Sequence, residues 1–166
     1  MSTGESGHSH GRQPVATVAP VASPLTLDAL RGHRFPGGVR RIEHWENFLL
    51  TDCTGAEQLG DGLVHPIALF HVPIQGAQTS IAELFELCGA TGAGSVGLEA
   101  YDWEYLRPLR ELTDYAVTGG IVSVESLATT AGRPYDRVVF SIELHEPGGA
   151  LAARVTNTWR LYRADA

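Results

Sequence analysis

Val138-Val139-Phe140-Ser141-Ile142-Glu143-Leu144-His145, followed by the turn Glu146-Pro147-Gly148-Gly149 and by Leu151-Ala152-Ala153-Arg154-Val155, decides the fold class. Val138, Phe140, Ile142 and Leu144 alternate with Arg137, Ser141 and Glu143. Leu151, Ala153 and Val155 lead on to Trp159 and Leu161 against Arg154, Thr156 and Arg160. A period of two over such lengths marks antiparallel strands with one buried face, and Pro-Gly-Gly between two of them is a turn signal. Working outward, Val96-Leu98-Ala100 alternates with Gly97, Glu99, Tyr101, Trp103 and Tyr105, and Val117–Leu127 makes a fourth strand. Further turns are expected at Pro108 and at Gly132-Arg133-Pro134.

Before Gly94 the period is helical. Ile42, Trp45 and Leu49, with Phe48 and Leu50 beside them, predict a short amphipathic helix over Ile42–Thr51. It runs into the polar turn Thr51-Asp52-Cys53-Thr54-Gly55, and a second loop, Gly60-Asp61-Gly62, follows. Pro66 suits a first helical position, where its missing N–H is no loss. Ser80-Ile81-Ala82-Glu83 has the form of a capping box, and Gly89 is a natural stop. One long helix from Pro66 to Cys88, kinked at Pro73, or two helices end to end, is therefore expected. Helices first and antiparallel strands afterwards make an α+β arrangement, one central helix packed on a sheet. Residues 1–24, rich in Ser, Gly, Pro, Ala and Val, read as a flexible N-terminal tail, and 25–166 as one domain.

Composition excludes several chemistries. All 12 basic residues are Arg, so Schiff-base lysines, pyridoxal phosphate attachment and a phosphate-loop lysine are absent. A formal net charge of -7 does not suit a nucleic-acid binder, whose mark is a basic face. Cys53 and Cys88 form no ligand-like spacing, and His8 and His10 lie in the tail, so no metal site is expected. No apolar run approaches the ~18 residues that span a bilayer. The N-terminus lacks a basic region followed by an apolar stretch, and a cytoplasmic location is expected.

Gly62-Leu63-Val64-His65-Pro66-Ile67-Ala68-Leu69-Phe70 resembles the loop and helix start of MaoC-like hydratase/dehydratase domains. Tyr101-Asp102-Trp103-Glu104-Tyr105-Leu106-Arg107-Pro108-Leu109 resembles their next strand. With Val138–Leu161, the resemblance covers roughly Ile42 to Arg163. It implies a hot-dog fold, an antiparallel sheet wrapped around a long central helix, and a dimer or double hot dog. It also implies water addition to, or loss from, a 3-hydroxyacyl or enoyl thioester of coenzyme A or an acyl-carrier protein, with no cofactor. The family's catalytic pair is Asp-x-x-x-x-His in the loop before the helix. Here Asp52 matches and Glu57 stands where His belongs, and the stretch to His65 looks shorter. Both departures set ordinary hydratase chemistry against a non-catalytic half of a heterodimer.

Such a dehydration needs a base for the α-proton, an acid for the leaving hydroxyl and donors for an enolate-like oxygen. His65 is the first choice, at the mouth of the expected helix, where the dipole would keep its ring neutral; its bland role is a helix cap. Asp52 is expected as its partner, with Glu57 or His71 assisting; the competing role of Asp52 and Glu57 is as solvated loop acids. His71 equally suits a core position. Tyr101, Trp103 and Tyr105, sharing one strand face, and Gly62 are expected to contact substrate, the aromatics competing with a packing role. Glu43, His44 and Glu46 look ligand-like but read as a solvated helix face. Thioester hydrolysis directed by Glu57 or Glu83 is the second enzymatic possibility. Arginine without lysine fits a GC-rich genome, and a stand-alone domain of this kind fits a specialised natural-product pathway.

Overall fold

The computed structural model describes residues 27–90, 92 and 94–162. The expected tail, with His8 and His10, lies outside the described residues. Five strands form one antiparallel sheet in the order β1-β3-β4-β5-β2: β1 is Gly38–Arg41, β2 Val96–Tyr105, β3 Asp114–Ala128, β4 Pro134–His145 and β5 Leu151–Tyr162. The alternation seen in the sequence is the alternation in space. Tyr135, Val138, Phe140, Ile142 and Leu144 of β4, and Ala153, Val155, Trp159 and Leu161 of β5, are buried. The hairpin between them closes as expected, with Gly149 N–H donating to Glu146 O at 2.7 Å and Gly149 at φ 81°.

Two β-bulges change the face that a simple alternation would assign. In β3 the register slips between Ile121 and Ser123; Tyr115, Val117 and Ile121 are buried before it, Val124 after it, and Val122 is exposed. In β2 the slip falls between Leu98 and Ala100. The expected row Val96-Leu98-Ala100 is therefore interrupted, and Tyr101 joins Val96 and Leu98 along one cleft. The bulged Glu99 is gripped by Arg137 at 3.0 Å and Arg160 at 2.8 Å. Their hydrogen bonds and charges hold its carboxyl well below the usual range, at about 2.

The helices pack on the other side of the core, but not as one rod. Pro66–Phe70 is a 3-10 turn; α3 is Val72–Gly76 and α4 Ile81–Leu87, after α1 at Leu27–Leu30 and α2 at His44–Asp52. The expected Pro66–Cys88 helix is thus divided into three pieces. His71, at φ -134°, leaves the helical region just before Pro73, which has no N–H to continue the ladder. Gln78 at φ 54° then turns the chain sharply after α3. The capping box is present: Ser80 Oγ accepts from Glu83 N–H at 3.1 Å, and Glu83 Oε2 from Ser80 N–H at 2.7 Å. Gly89 at φ 70° follows α4 as a left-handed stop.

The face of α2 is the opposite of the expected one. Trp45, Phe48 and Leu49 are 63%, 47% and 52% exposed, whereas Glu46, Asn47 and Thr51 are buried. The polar face turns inward because each inward side chain finds a partner there, as described below. Hydrophobic periodicity alone finds the helix and misplaces its faces.

Close approach fixes the N-terminal part of the sheet. A Cβ at Gly120 would lie 2.4 Å from the His33 carbonyl oxygen, where Arg34 bridges to β3. Gly120→Val should destabilise the protein by about 1–3 kcal/mol, the usual effect of overpacking, as read from urea unfolding. A midpoint equal to wild type would show that the segment 32–35 does not press on β3.

Candidate functional site

Asn47 organises the approach to the site. Its Nδ2 donates to Leu63 O at 3.0 Å and to Glu111 Oε1 at 2.6 Å, and its Oδ1 accepts from His65 N–H at 2.9 Å. Glu111 Oε2 lies 2.9 Å from His44 Nδ1. Burial, the largest single influence, pushes the Glu111 carboxyl up, yet the Asn47 amide and His44 more than cancel it and leave it below the usual value. One carboxamide therefore fastens α2, the 62–65 loop and the segment before β3 together.

Held in this way, His65 caps the 3-10 turn: its Nδ1 accepts from Ile67 N–H at 3.2 Å. A neutral ring then carries its proton on Nε2 and can donate there, so the expected proton-accepting nitrogen is already occupied. The turn that follows is five residues long, too short for the expected dipole. Asp52 ends α2 one residue beyond buried Thr51 and is exposed, as is Glu57 in the next loop. Among the described residues, neither side chain has a hydrogen bond or ion pair with the other or with His65. Gly62 sits at φ 66° before that loop.

The aromatic row does pack, and of its three members only Tyr101 also lines the cleft described below. The Tyr105 hydroxyl donates to Pro66 O at 2.7 Å, and the Tyr101 hydroxyl lies 3.0 and 2.7 Å from the Leu69 and Phe70 carbonyls. Both phenols tie β2 to the 3-10 turn. Burial raises both pKa values, so they stay protonated donors. Trp103 packs edge-on against Tyr101, ring centres 5.7 Å apart.

Beside Tyr101 opens an apolar cleft of about 400 Å³. Phe70, His71, Ile74 and Gln75 form one wall, Ile81 and Phe85 of α4 another, and Val96, Leu98, Asn157 and Trp159 the sheet side. His71 brings a titratable ring into this wall. Its Nε2 lies 3.9 Å from Oε1 of Glu46, which also accepts from Arg40 Nη2; Arg40 in turn donates to Gln75 Oε1 at 2.9 Å. Glu46 is 6% exposed, and its Oε2 has no hydrogen-bond partner among the described residues. Of the four residues expected to act as acids or bases, the structure brings only His71 to this cleft.

Sequence reasoning missed Asn47, Glu111 and Asn157, and it read Glu46 as part of a solvated face although the residue is buried. Glu111 lies 64 residues from Asn47, and no local pattern links them. Asn157 left a signal: it is a polar residue in the inward row Val155-x-Asn157-x-Trp159. A depression of about 560 Å³ on the opposite sheet face is lined by Ser141, Glu143 and Arg154 among others, but Arg154 is already paired with Glu143 at 2.9 Å and Glu104 at 2.7 Å. Among the described residues no group of His, Cys, Asp and Glu is placed to hold a metal, and no helix is long and apolar enough to cross a membrane.

No family model and no curated protein matches the chain. Solved structures do. A monoamine oxidase regulatory protein from Archaeoglobus superposes with a TM-score of 0.63 at 12% identity, over 87% of this chain and 99% of that one. A 3R-hydroxyacyl-ACP dehydratase complex, C-terminally truncated HadBC from Mycobacterium tuberculosis, gives 0.58 at 16%, over 79% and 96%. A MaoC-like dehydratase gives 0.59 at 16%, over 84% of this chain and 44% of its own. At such identities the likeness is one of fold. The chain has the hot-dog fold, in the form that MaoC-like dehydratases share.

The Asn47 network predicts an acid-sensitive component of stability. A carboxyl with a depressed folded-state pKa contributes fully above its ordinary value of 4.5 and loses that contribution as pH falls further. Glu111→Gln should therefore lower stability at pH 7 and flatten its decline below about pH 4.5, measured by urea unfolding across pH. A variant with the full wild-type slope would mean that Glu111 carries no such linkage.

Proposed function

We propose that this protein is a MaoC-like hydratase/dehydratase that adds water to, or removes it from, an acyl thioester. The observation that supports this most is His71 in the wall of an apolar cleft, with the buried Glu46 carboxylate 3.9 Å from its Nε2. In the dehydrating direction the acyl group of a 3-hydroxyacyl thioester lies in the cleft. His71 takes the α-proton and passes it to the departing β-hydroxyl; the Cα=Cβ bond forms and water leaves. With Nε2 turned to Glu46, Nδ1 is the nitrogen for this exchange, and the carboxylate stabilises the transient imidazolium. This chemistry uses no lysine, metal or cofactor. Coenzyme A or an acyl-carrier protein would present the thioester. His65, through Nε2–H, and Asp52 are the alternative acid and base, with Glu57 assisting.

A non-catalytic reading has one observation in its favour: Asp52 and Glu57 are exposed and apart from the cleft. In that case the chain binds substrate beside a catalytic hot-dog partner. Either reading uses the free edge of β2, which leaves backbone groups unpaired and has Leu98 and Leu106 63% and 50% exposed. Edges of this kind invite a second sheet: that of a second copy of this chain in the catalytic reading, and that of the catalytic hot-dog partner in the other.

One preparation tests these readings. It should sediment at about twice 17.8 kDa, and with a panel of 3-hydroxyacyl, enoyl and saturated acyl thioesters it should interconvert the first two. His71→Ala should lower turnover by about 10²-fold or more with the dimer intact. Release of free thiol instead would favour a thioesterase. Turnover unchanged in His71→Ala but lost in His65→Ala and Asp52→Asn would return the chemistry to the loop.

A further inference from the structure

We infer that the acyl group taken by this cleft carries, beyond the reacting β-position, a further oxygen as a keto or hydroxyl group along its chain, and that Asn157 Nδ2 donates a hydrogen bond to it. The inference rests on the cleft being the acyl site. It starts from the row to which Asn157 belongs. Ala153, Val155, Trp159 and Leu161 are the other inward residues of β5, all apolar and buried. Asn157 is 5% exposed among them, its strand partners being Tyr101 on one side and Phe140 on the other. Its Nδ2 is buried with no hydrogen-bond partner among the described residues, and the residue lines the cleft. An unpaired amide in such surroundings destabilises a fold.

Three other polar groups of the cleft are committed: Gln75 Oε1 accepts from Arg40, the Tyr101 hydroxyl is held by the Leu69 and Phe70 carbonyls, and His71 Nε2 faces Glu46. Gln75 Nε2 and His71 Nδ1 belong to the helical wall. Asn157 therefore supplies the free donor on the sheet side. A plain alkyl chain buries this donor without an acceptor, whereas a chain with an oxygen at its depth satisfies it. Sites built to bond a substrate oxygen discriminate against the analogue that lacks it far better than apolar pockets discriminate one methylene. The carboxamide thus selects among acyl groups, separately from the proton transfer at His71.

Calorimetric titration with octanoyl-pantetheine and with its 5-oxo, 6-oxo and 7-oxo derivatives tests this, with the matching free acids alongside. One oxo isomer should bind at least about tenfold more tightly than the octanoyl thioester, the scale of one buried hydrogen bond. In Asn157→Leu the two should bind alike, and the unliganded variant should melt no lower than wild type. Asn157→Asp, which keeps the shape and replaces the amide by a carboxylate, should also lose the preference and serves if the Leu variant fails to fold. Equal binding of all chains to wild type, or a preference that survives both substitutions, overturns the inference. If the free acids discriminate as predicted but pantetheine adds nothing to their affinity, the thioester reading fails and the role of Asn157 stands. If no probe binds, both fall.

Discussion

The Asn47 carboxamide, 1% exposed, is the interaction on which the arrangement of the site depends. It accepts from the His65 backbone and donates to Leu63 O and Glu111, so it fastens α2 onto two segments that are themselves paired through the backbone, Val64 N–H to Leu109 O at 2.9 Å and Glu111 N–H to Gly62 O at 2.8 Å. With His65 fixed, the cap at Ile67 follows, and with it the 3-10 turn Pro66–Phe70. Tyr101 and Tyr105 then grip the carbonyls of that turn from β2. His71 and the wall of the cleft are the next residues along the chain. A buried polar side chain is costly unless satisfied, and when satisfied it specifies one geometry where apolar packing would tolerate several.

The same constraint explains why α2 faces the way it does. Glu46 meets Arg40, Asn47 meets Glu111, and Thr51 Oγ1 donates to Asn47 O at 2.8 Å. With those groups inside, Trp45, Phe48 and Leu49 are left outside. The core is completed from the sheet instead, where Phe140 and Trp159 pack edge-to-face at 4.8 Å and Phe85 closes over Trp159 at 5.3 Å. Phe85 and Trp159 of that stack also line the cleft.

What was legible in the sequence follows from the range of the signal. Strand alternation, the Glu146–Gly149 turn, the capping box at Ser80 and the place of Pro66 in the first turn are decided by neighbours within a few residues, and all are present. The stretch Pro66–Cys88, expected as one helix kinked at Pro73 or two helices end to end, is three pieces because the backbone at His71 and Gln78 leaves the helical region. The inward face of α2 depends on Arg40, Leu63 and Glu111, and no helical period contains them. The strand bulges at Glu99 and Val122 likewise shift a face by one residue without a local mark. For the site, His71 was legible as a histidine near the helix start, but Glu46 behind it was hidden by its place on a face that hydrophobicity assigned to solvent.

The central claim is that the cleft between the helical wall and the β2–β5 side of the sheet holds an acyl chain. A crystal structure with an acyl-pantetheine thioether, which cannot be hydrolysed, tests this directly. The account predicts acyl density in the cleft alongside Phe85 and Trp159, passing His71 and Asn157. Density for the chain elsewhere, or a cleft filled by side chains of a partner subunit, would contradict it.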